Sequence, residues 1–475
     1  MGRRSIRWQS GPERLWWPPM NMSLTSGLIP LTLQLLALVA IVVAIGRGRS
    51  RQWLLRWLLV AVLVGVAVAA AVALYVRNQG WSAQPVSVGT VFWTGMVGFA
   101  VTVLIAGWGG SAWWRRGVAL LSVLLVLVCC AAAVNTATGY LPTVRAAWLR
   151  ATNSQPAQWI DETQLAALQK SGEIPTRGTV VRMSSPSDAS GFAHRTEVVY
   201  LPPAWFASNP PPPLPTVIML GGEFGHADDW LLSTSALQTL DTFAGLHHGN
   251  APVVVLPDIA GRFNNDTECV DGVRGNAASH LTKDVVPYMI SRFGVSPKGE
   301  NWGIVGWSSG ATCALLTAAR NPDMFRAFVW LDGTLGPNAG TKEQTIARLF
   351  GGDQDAWAAF DPKTVITNYG PYPHLSAWLA GAEDTATVYR PASTTPPSAD
   401  AIADWDSFSE NHATNANKLC TLLSGYNIEC SVVGYQGGHD FPSAGAGFAA
   451  ALPWLAGVLG TPDVKPRALP GADGS

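Results

Sequence analysis

The chain has 475 residues, room for two or three domains, and is 48% hydrophobic but only 13% charged, against roughly 25% charged in an ordinary soluble domain. A formal net charge of −1 leaves no electrostatic footprint for a nucleic-acid partner. The shortage of charge is uneven, since no Asp or Glu lies between Glu13 and Asp161.

Residues 1–22 read as an N-terminal tail in which Met20 and Met22 offer start positions downstream of residue 1. Residues 23–138 then hold four charge-free apolar runs: Leu24–Ile45, Trp57–Val76, Val91–Trp108 and Gly117–Val134. A spanning helix needs about 20 such residues, so the four predict a transmembrane module. The first run is too long for a signal peptide and lacks a small-residue cleavage site. Trp53, Trp57, Trp81, Trp93, Trp108, Trp113 and Trp114 fall near the ends of the runs, as interfacial aromatics do. Arg47, Arg49, Arg51 and Arg56 lie between the first two runs and Arg115 and Arg116 between the last two, with only Arg77 in the middle gap. The positive-inside rule then predicts a multi-pass plasma-membrane protein with its C-terminal domain outside, although Arg3, Arg4, Arg7 and Arg14 pull the other way. With no ionisable group inside a run, the module reads as an anchor or lipid-access platform and not as a pump.

Residues 139–175 form a juxtamembrane connector, helical around Asp161–Lys170. In residues 176–460 short β-rich runs alternate with helices. Thr179–Met183 and Thr196–Leu201 read as paired edge strands. Further strands are expected at Val217–Leu220, Pro252–Leu256, Trp302–Val305, Ala327–Leu331, Ser376–Gly381 and Glu429–Gly434. Helices are expected at His280–Phe293, Ala311–Arg320, Ala413–Leu423 and Phe448–Leu459. The alternation predicts an α/β domain, a mainly parallel sheet covered by helices, with its functional loops at the carboxyl ends of the strands. Residues 461–475, rich in Pro, Gly and Asp, are expected to be a disordered tail.

The chemistry centres on Gly306-Trp307-Ser308-Ser309-Gly310, which has a strand before it and a helix after it. That placement is what a strained nucleophile turn requires, with Ser308 exposed at the top of the sheet. Ser308 needs a base. In folds built on this turn, acid and histidine follow the nucleophile in that order, which leaves His374, His412 and His439. His374 sits at the wrong end of a strand, and His412, where a helix begins, reads as a surface residue. His439, in Gly437-Gly438-His439-Asp440-Phe441 after the last strand, is the expected base. The acid should follow the penultimate strand, where Glu383 and Asp384 are adjacent; Asp384 is favoured, with Glu383 and Asp332 as alternatives. The oxyanion needs two N–H donors, expected from the backbone of Ser309 and, in Gly221-Gly222-Glu223-Phe224-Gly225, of Glu223. No metal or cofactor motif is present, so none is expected. Four cysteines in an outward domain allow three pairings. Cys420 and Cys430 flank one helix-to-strand loop, a pairing that leaves Cys269 with Cys313; four free thiols are the alternative.

Residues Gly306–Gly310 and Gly437–Phe441, with Asn265–Asp271 and the run Leu281–Tyr288, resemble the esterase D-like branch of the α/β-hydrolases. That branch includes S-formylglutathione hydrolases, feruloyl esterases and mycolyltransferases. The four-span front end resembles actinobacterial membrane esterases. The resemblance implies an α/β-hydrolase fold and a Ser308, Asp384, His439 triad. Where many relatives have His-Gly this chain has Gly221-Gly222, which leaves the first oxyanion donor open. The expected activity is a serine esterase cleaving an ester in a lipidic cell-envelope substrate. The alternatives are an acyltransferase passing the acyl group to a sugar or lipid hydroxyl, an aminoacyl-phosphatidylglycerol hydrolase, and a non-enzymatic envelope binding protein. The expected partners are the bilayer and an acylated envelope substrate.

Overall fold

The computed structural model describes residues 18–46, 49–79, 86–109, 111–152, 154, 156, 158–381, 386–402, 405 and 411–472. The chain separates near residue 154 into two compact units.

The first unit holds α1 (Leu28–Ile45), α2 (Arg51–Gln79), α3 (Val88–Trp108), α4 (Trp113–Thr138) and the short α5 (Val144–Thr152). The first four are long and apolar enough to cross a membrane, with hydropathies of 1.9 to 2.8. Their packing inverts that of a soluble bundle. Ala37, Ala61 and Ala100 are fully buried between helices, while Leu31, Leu63, Val66 and Leu124 are half exposed or more. Large apolar side chains turned outward need an apolar solvent, and small residues inward let helices approach closely. At Gly65 a Cβ would lie 2.7 Å from the Gly95 carbonyl oxygen, so this α2–α3 crossing depends on glycine. This unit makes the protein membrane-associated. A fifth helix, Phe441–Val458, also has the length and hydropathy, but its apolar window is 67% buried in the second unit and it serves there as a core helix.

The second unit opens with β1 (Trp159–Ile160), α6 (Glu162–Ser171), β2 (Thr179–Met183), β3 (Glu197–Leu201), β4 (Thr216–Leu220), α7 (Asp229–Ser233), α8 (Ala236–Leu246) and β5 (Val253–Leu256). A small hairpin, β6 (Asp271–Gly272) and β7 (Gly275–Asn276), leads through α9 (Ala277–Ser279) and a π-helical turn (His280–Val285) into α10 (Val286–Phe293). Then come β8 (Trp302–Trp307), α11 (Ser309–Arg320), β9 (Ala327–Leu331), α12 (Lys342–Phe350), α13 (Gln354–Ala358) and α14 (Pro362–Tyr369). The unit ends with β10 (Ser376–Gly381), β11 (Val388–Arg390), α15 (His412–Ser424), β12 (Glu429–Gly434) and α16 (Phe441–Val458). The ten-stranded sheet runs β1-β2-β3-β5-β4-β8-β9-β10-β12-β11. From β5 to β12 every pairing is parallel. Every residue of β4, β8, β9 and β10 is buried, as a parallel sheet covered on both faces demands.

The register aligns the carboxyl ends of these strands, with Leu220 beside Gly306 and Leu331 beside both Trp307 and Ala380. The loops beginning at Gly221, Ser308 and Asp332 therefore leave one edge of the sheet together.

Three expectations differ. The strand expected at Thr196–Leu201 is not at an edge: β3 lies between β2 and β5 with all five residues buried. The last helix starts at Phe441, not Phe448, because the Asp440 side chain caps the Ser443 N–H and Pro442 occupies the first turn. The expected disordered tail packs on the domain over residues 461–472: Thr461 and Leu469 are buried, and the Ser431 hydroxyl donates to the Pro470 carbonyl at 2.7 Å.

Candidate active site

Ser308 joins β8 to α11 with φ 58° and ψ −128°, a region that L-residues rarely adopt and that holds its side chain out of the turn. The flanking glycines are steric necessities. A Cβ at Gly306 would lie 1.8 Å from the Gly310 carbonyl oxygen, and one at Gly310 would lie 2.4 Å from that of Gly221. The Ser308 N–H donates to Leu331 at 2.9 Å, extending the β8–β9 ladder into the turn.

The loop after β12 carries His439. Gly437, at φ 142°, is packed so tightly on Ser443 that a Cβ would meet its Oγ at 2.1 Å. Asp440 caps α16. Between these two fixed points His439 extends to Ser308, with Nε2 2.9 Å from Oγ. Its ring also meets Trp307 at 4.9 Å and His412 at 4.8 Å between centroids.

The carboxylate described beside His439 is Asp332, at the end of β9. Its Oδ2 is 3.7 Å from His439 Nδ1. Asp332 is 1% exposed and has φ 51°. Its N–H donates to Ala380 at 3.0 Å, and the Tyr435 hydroxyl donates to Oδ2. Burial, then the neighbouring Asp332 charge, push the Tyr435 phenol far above its ordinary range, so it stays a donor. The favoured acid, Asp384, and its neighbour Glu383 lie outside the described residues.

Gly222 runs along the nucleophile, and a Cβ there would lie 3.1 Å from that of Ser308. The N–H of Ser309 opens α11, where no intrahelical acceptor exists. Among the described residues neither it nor the Glu223 N–H is given to a carbonyl. The Glu223 carboxyl group joins Asp266 and Glu268, all three within 4.8 Å. Burial first, then the neighbouring Asp266 charge, push Glu223 and Glu268 well above the usual carboxylate range. Arg274 donates to Asp266 at 3.4 Å.

The Gly221–Gly225 loop is also held from outside. Arg195 donates to the Gly225 carbonyl at 2.8 Å and pairs with Asp258 at 2.6 Å. Cys269 is bonded to Cys313 in α11, and Cys420 to Cys430. A cavity of about 520 Å³ opens behind the loop that follows Asp332, lined by Thr334, Asn338, Trp357, Trp405 and Asn415 among others.

Sequence reasoning missed His412, Tyr435 and Arg195. His412 is fully buried rather than on the surface. The start of α15 is pressed onto the end of β10, where a Cβ at Gly381 would lie 2.9 Å from the Ala413 nitrogen. Nothing in the local pattern signals that contact.

A parallel sheet with a strained serine between strand and helix, and a histidine reaching it from the last strand, defines an α/β-hydrolase. Residues 193–455 match the family described as "Putative esterase", and the chain belongs to that esterase family. An uncharacterised protein of Corynebacterium glutamicum is 32% identical over 238 residues, 49% of this chain. The match spans 54% of that relative, about half its length. Among solved structures, the S-formylglutathione hydrolase from Agrobacterium tumefaciens is 16% identical, with coverage of 60% of this chain and 97% of that one and a TM-score of 0.46. MPT51 of Mycobacterium tuberculosis is 17% identical, with coverage of 58% and 99% and a TM-score of 0.38.

Proposed function

We propose that the protein is a membrane-anchored serine esterase that cleaves an ester of a lipidic envelope substrate through an acyl-enzyme on Ser308. The observation that carries this reading is the 2.9 Å contact between Ser308 Oγ and His439 Nε2 at a strained strand-to-helix turn. His439 takes the Ser308 proton as Oγ attacks the ester carbonyl. The tetrahedral oxyanion is held by the N–H groups of Ser309 and Glu223, a contribution of about 3–4 kcal/mol per donor in other hydrolases. His439 then protonates the leaving alcohol, and water, activated by the same imidazole, releases the acid. On this reading Asp332, whose Oδ2 lies 3.7 Å from His439 Nδ1, orients the imidazole and stabilises its imidazolium.

The substrate class is argued from the four apolar helices. Bringing a long acyl chain into water costs about 0.8 kcal/mol per CH₂, so an enzyme held in the bilayer has privileged access to lipid esters. The loop arginines and the two disulfides favour an outward-facing hydrolase unit.

The test uses the full chain reconstituted in vesicles made from envelope lipids. Wild type should release carboxylic acid or aminoacyl product from a lipid ester that persists with Ser308→Ala. Transfer of the acyl group to a hydroxyl lipid, with no free acid, would turn the reading to the acyltransferase. An unchanged lipid profile with both proteins would remove the lipidic substrate.

A further inference from the structure

His412 and His439 come from different elements, α15 and the loop after β12, yet their rings stack with centroids 4.8 Å apart and planes within 9° of parallel. His412 is fully buried. Its Nδ1 donates to the Gly333 carbonyl at 3.2 Å, which makes Nδ1 the protonated nitrogen. Its Nε2 is buried with no hydrogen-bond partner among the described residues. Burial, then the neighbouring His439, hold its pKa below the ordinary imidazole range, so a second positive charge does not form under the base.

The contact with Gly333 matters because Gly333 follows Asp332, and Asp332 is held by Tyr435 and by Ala380. One ring therefore touches both partners of the site: the imidazole face of His439 by stacking, and the backbone that presents Asp332 by a hydrogen bond. His439 also meets Trp307, so its ring lies against two aromatic neighbours, and Asp332 stands 3.7 Å from its Nδ1. The two histidines and Asp332 bring ligand-type atoms within 4.8 Å of one another. Lone pairs of imidazole lie in the ring plane, and those of two nearly parallel rings do not converge on one ion. The arrangement is a stack.

We propose that His412 is a positioning residue for His439: its ring holds the imidazole in the orientation that reaches Ser308, and its bond to Gly333 keeps the Asp332 loop in register with that imidazole. The proposal rests on the serine-esterase reading above. A misplacement of about 1 Å in such a base costs on the order of 10²-fold in rate. A neutral ring can stack on the imidazolium formed during turnover without a charge conflict.

The test compares His412→Leu and His412→Phe in the full chain, with a short-chain p-nitrophenyl ester as the probe. Leu fills the space without an aromatic face; Phe keeps the face but cannot donate to Gly333. The expected result is a fall in kcat on the order of 10–100-fold for His412→Leu with KM within about twofold, and recovery to within about fivefold of wild type for His412→Phe. Equal rates for the two variants, or a His412→Leu rate within about twofold of wild type, would overturn the proposal. Failure of Ser308→Ala to lose activity in the same assay would instead remove the underlying esterase reading.

Discussion

At the scale of single residues the site is built from backbone strain and close packing more than from ion pairs. Ser308 and Asp332 both have positive φ, 58° and 51°, at the carboxyl ends of adjacent strands. Each strained residue is held by a ladder bond across the sheet, Ser308 N–H to Leu331 and Asp332 N–H to Ala380. The conformational cost, on the order of 1–3 kcal/mol for each such residue, is offset by the fully buried strands on either side. The Asp332 carboxylate accepts from Tyr435 and faces His439, and we propose it as the acid of the site. Asp332→Asn should lower kcat on the order of 10³–10⁴-fold, as loss of the orienting acid does in serine hydrolases, and Asp384→Asn should change it by less than about threefold. Steady-state turnover of a p-nitrophenyl ester measures both. The reverse ranking would transfer the role to Asp384.

At the scale of elements, much of the α/β unit was legible. Ala327–Leu331, Ser376–Gly381 and Glu429–Gly434 are strands with the expected bounds, because apolar runs between breakers have few other uses. Ser308 and His439 were legible because glycines at Gly306, Gly310 and Gly437 mark turns that no Cβ could enter. The two-residue strand β1 and the strand β11 carry too few residues to show a period. The burial of His412 depends on where α15 lands on β10, a tertiary contact without a local signature. Arg195 is of the same kind: it follows no motif, yet it joins β3's approach to the Gly221–Gly225 loop through Gly225 and Asp258. Burial alone would raise the Asp258 pKa, but the hydrogen bonds and charge of Arg195 outweigh it, and the pKa is lowered. A lowered carboxylate contributes stability above its unfolded pKa of about 3.9, lost as pH falls through the lower folded value. Arg195→Leu should therefore reduce the thermal midpoint most near neutral pH, and the difference from wild type should shrink as pH falls below about 4. Melting curves across that range check it. A difference that grows towards acid pH would contradict the assignment.

At the scale of the whole molecule, a helical unit whose apolar runs carry no charge and an α/β-hydrolase unit share one chain, and each is built by the solvent it meets. The first buries alanine and glycine and exposes leucine and valine; the second buries its leucines and valines within a parallel sheet. The expectation of four spanning helices met four helices, three of them longer than their apolar runs, since α2 begins at Arg51, α3 at Val88 and α4 at Trp113, while α1 begins at Leu28 inside its run; arginine and tryptophan at such ends suit an interface. The central claim is that Ser308 is an activated nucleophile in an outward-facing esterase. It is tested most directly by a fluorophosphonate bearing a membrane-impermeant charged tag, applied to intact cells that express the full chain. The account predicts covalent labelling of wild type on the peptide containing Ser308, with none in Ser308→Ala. Labelling that appears only after lysis would contradict the outward placement. No labelling of wild type under either condition, or equal labelling of Ser308→Ala, would contradict the nucleophile itself.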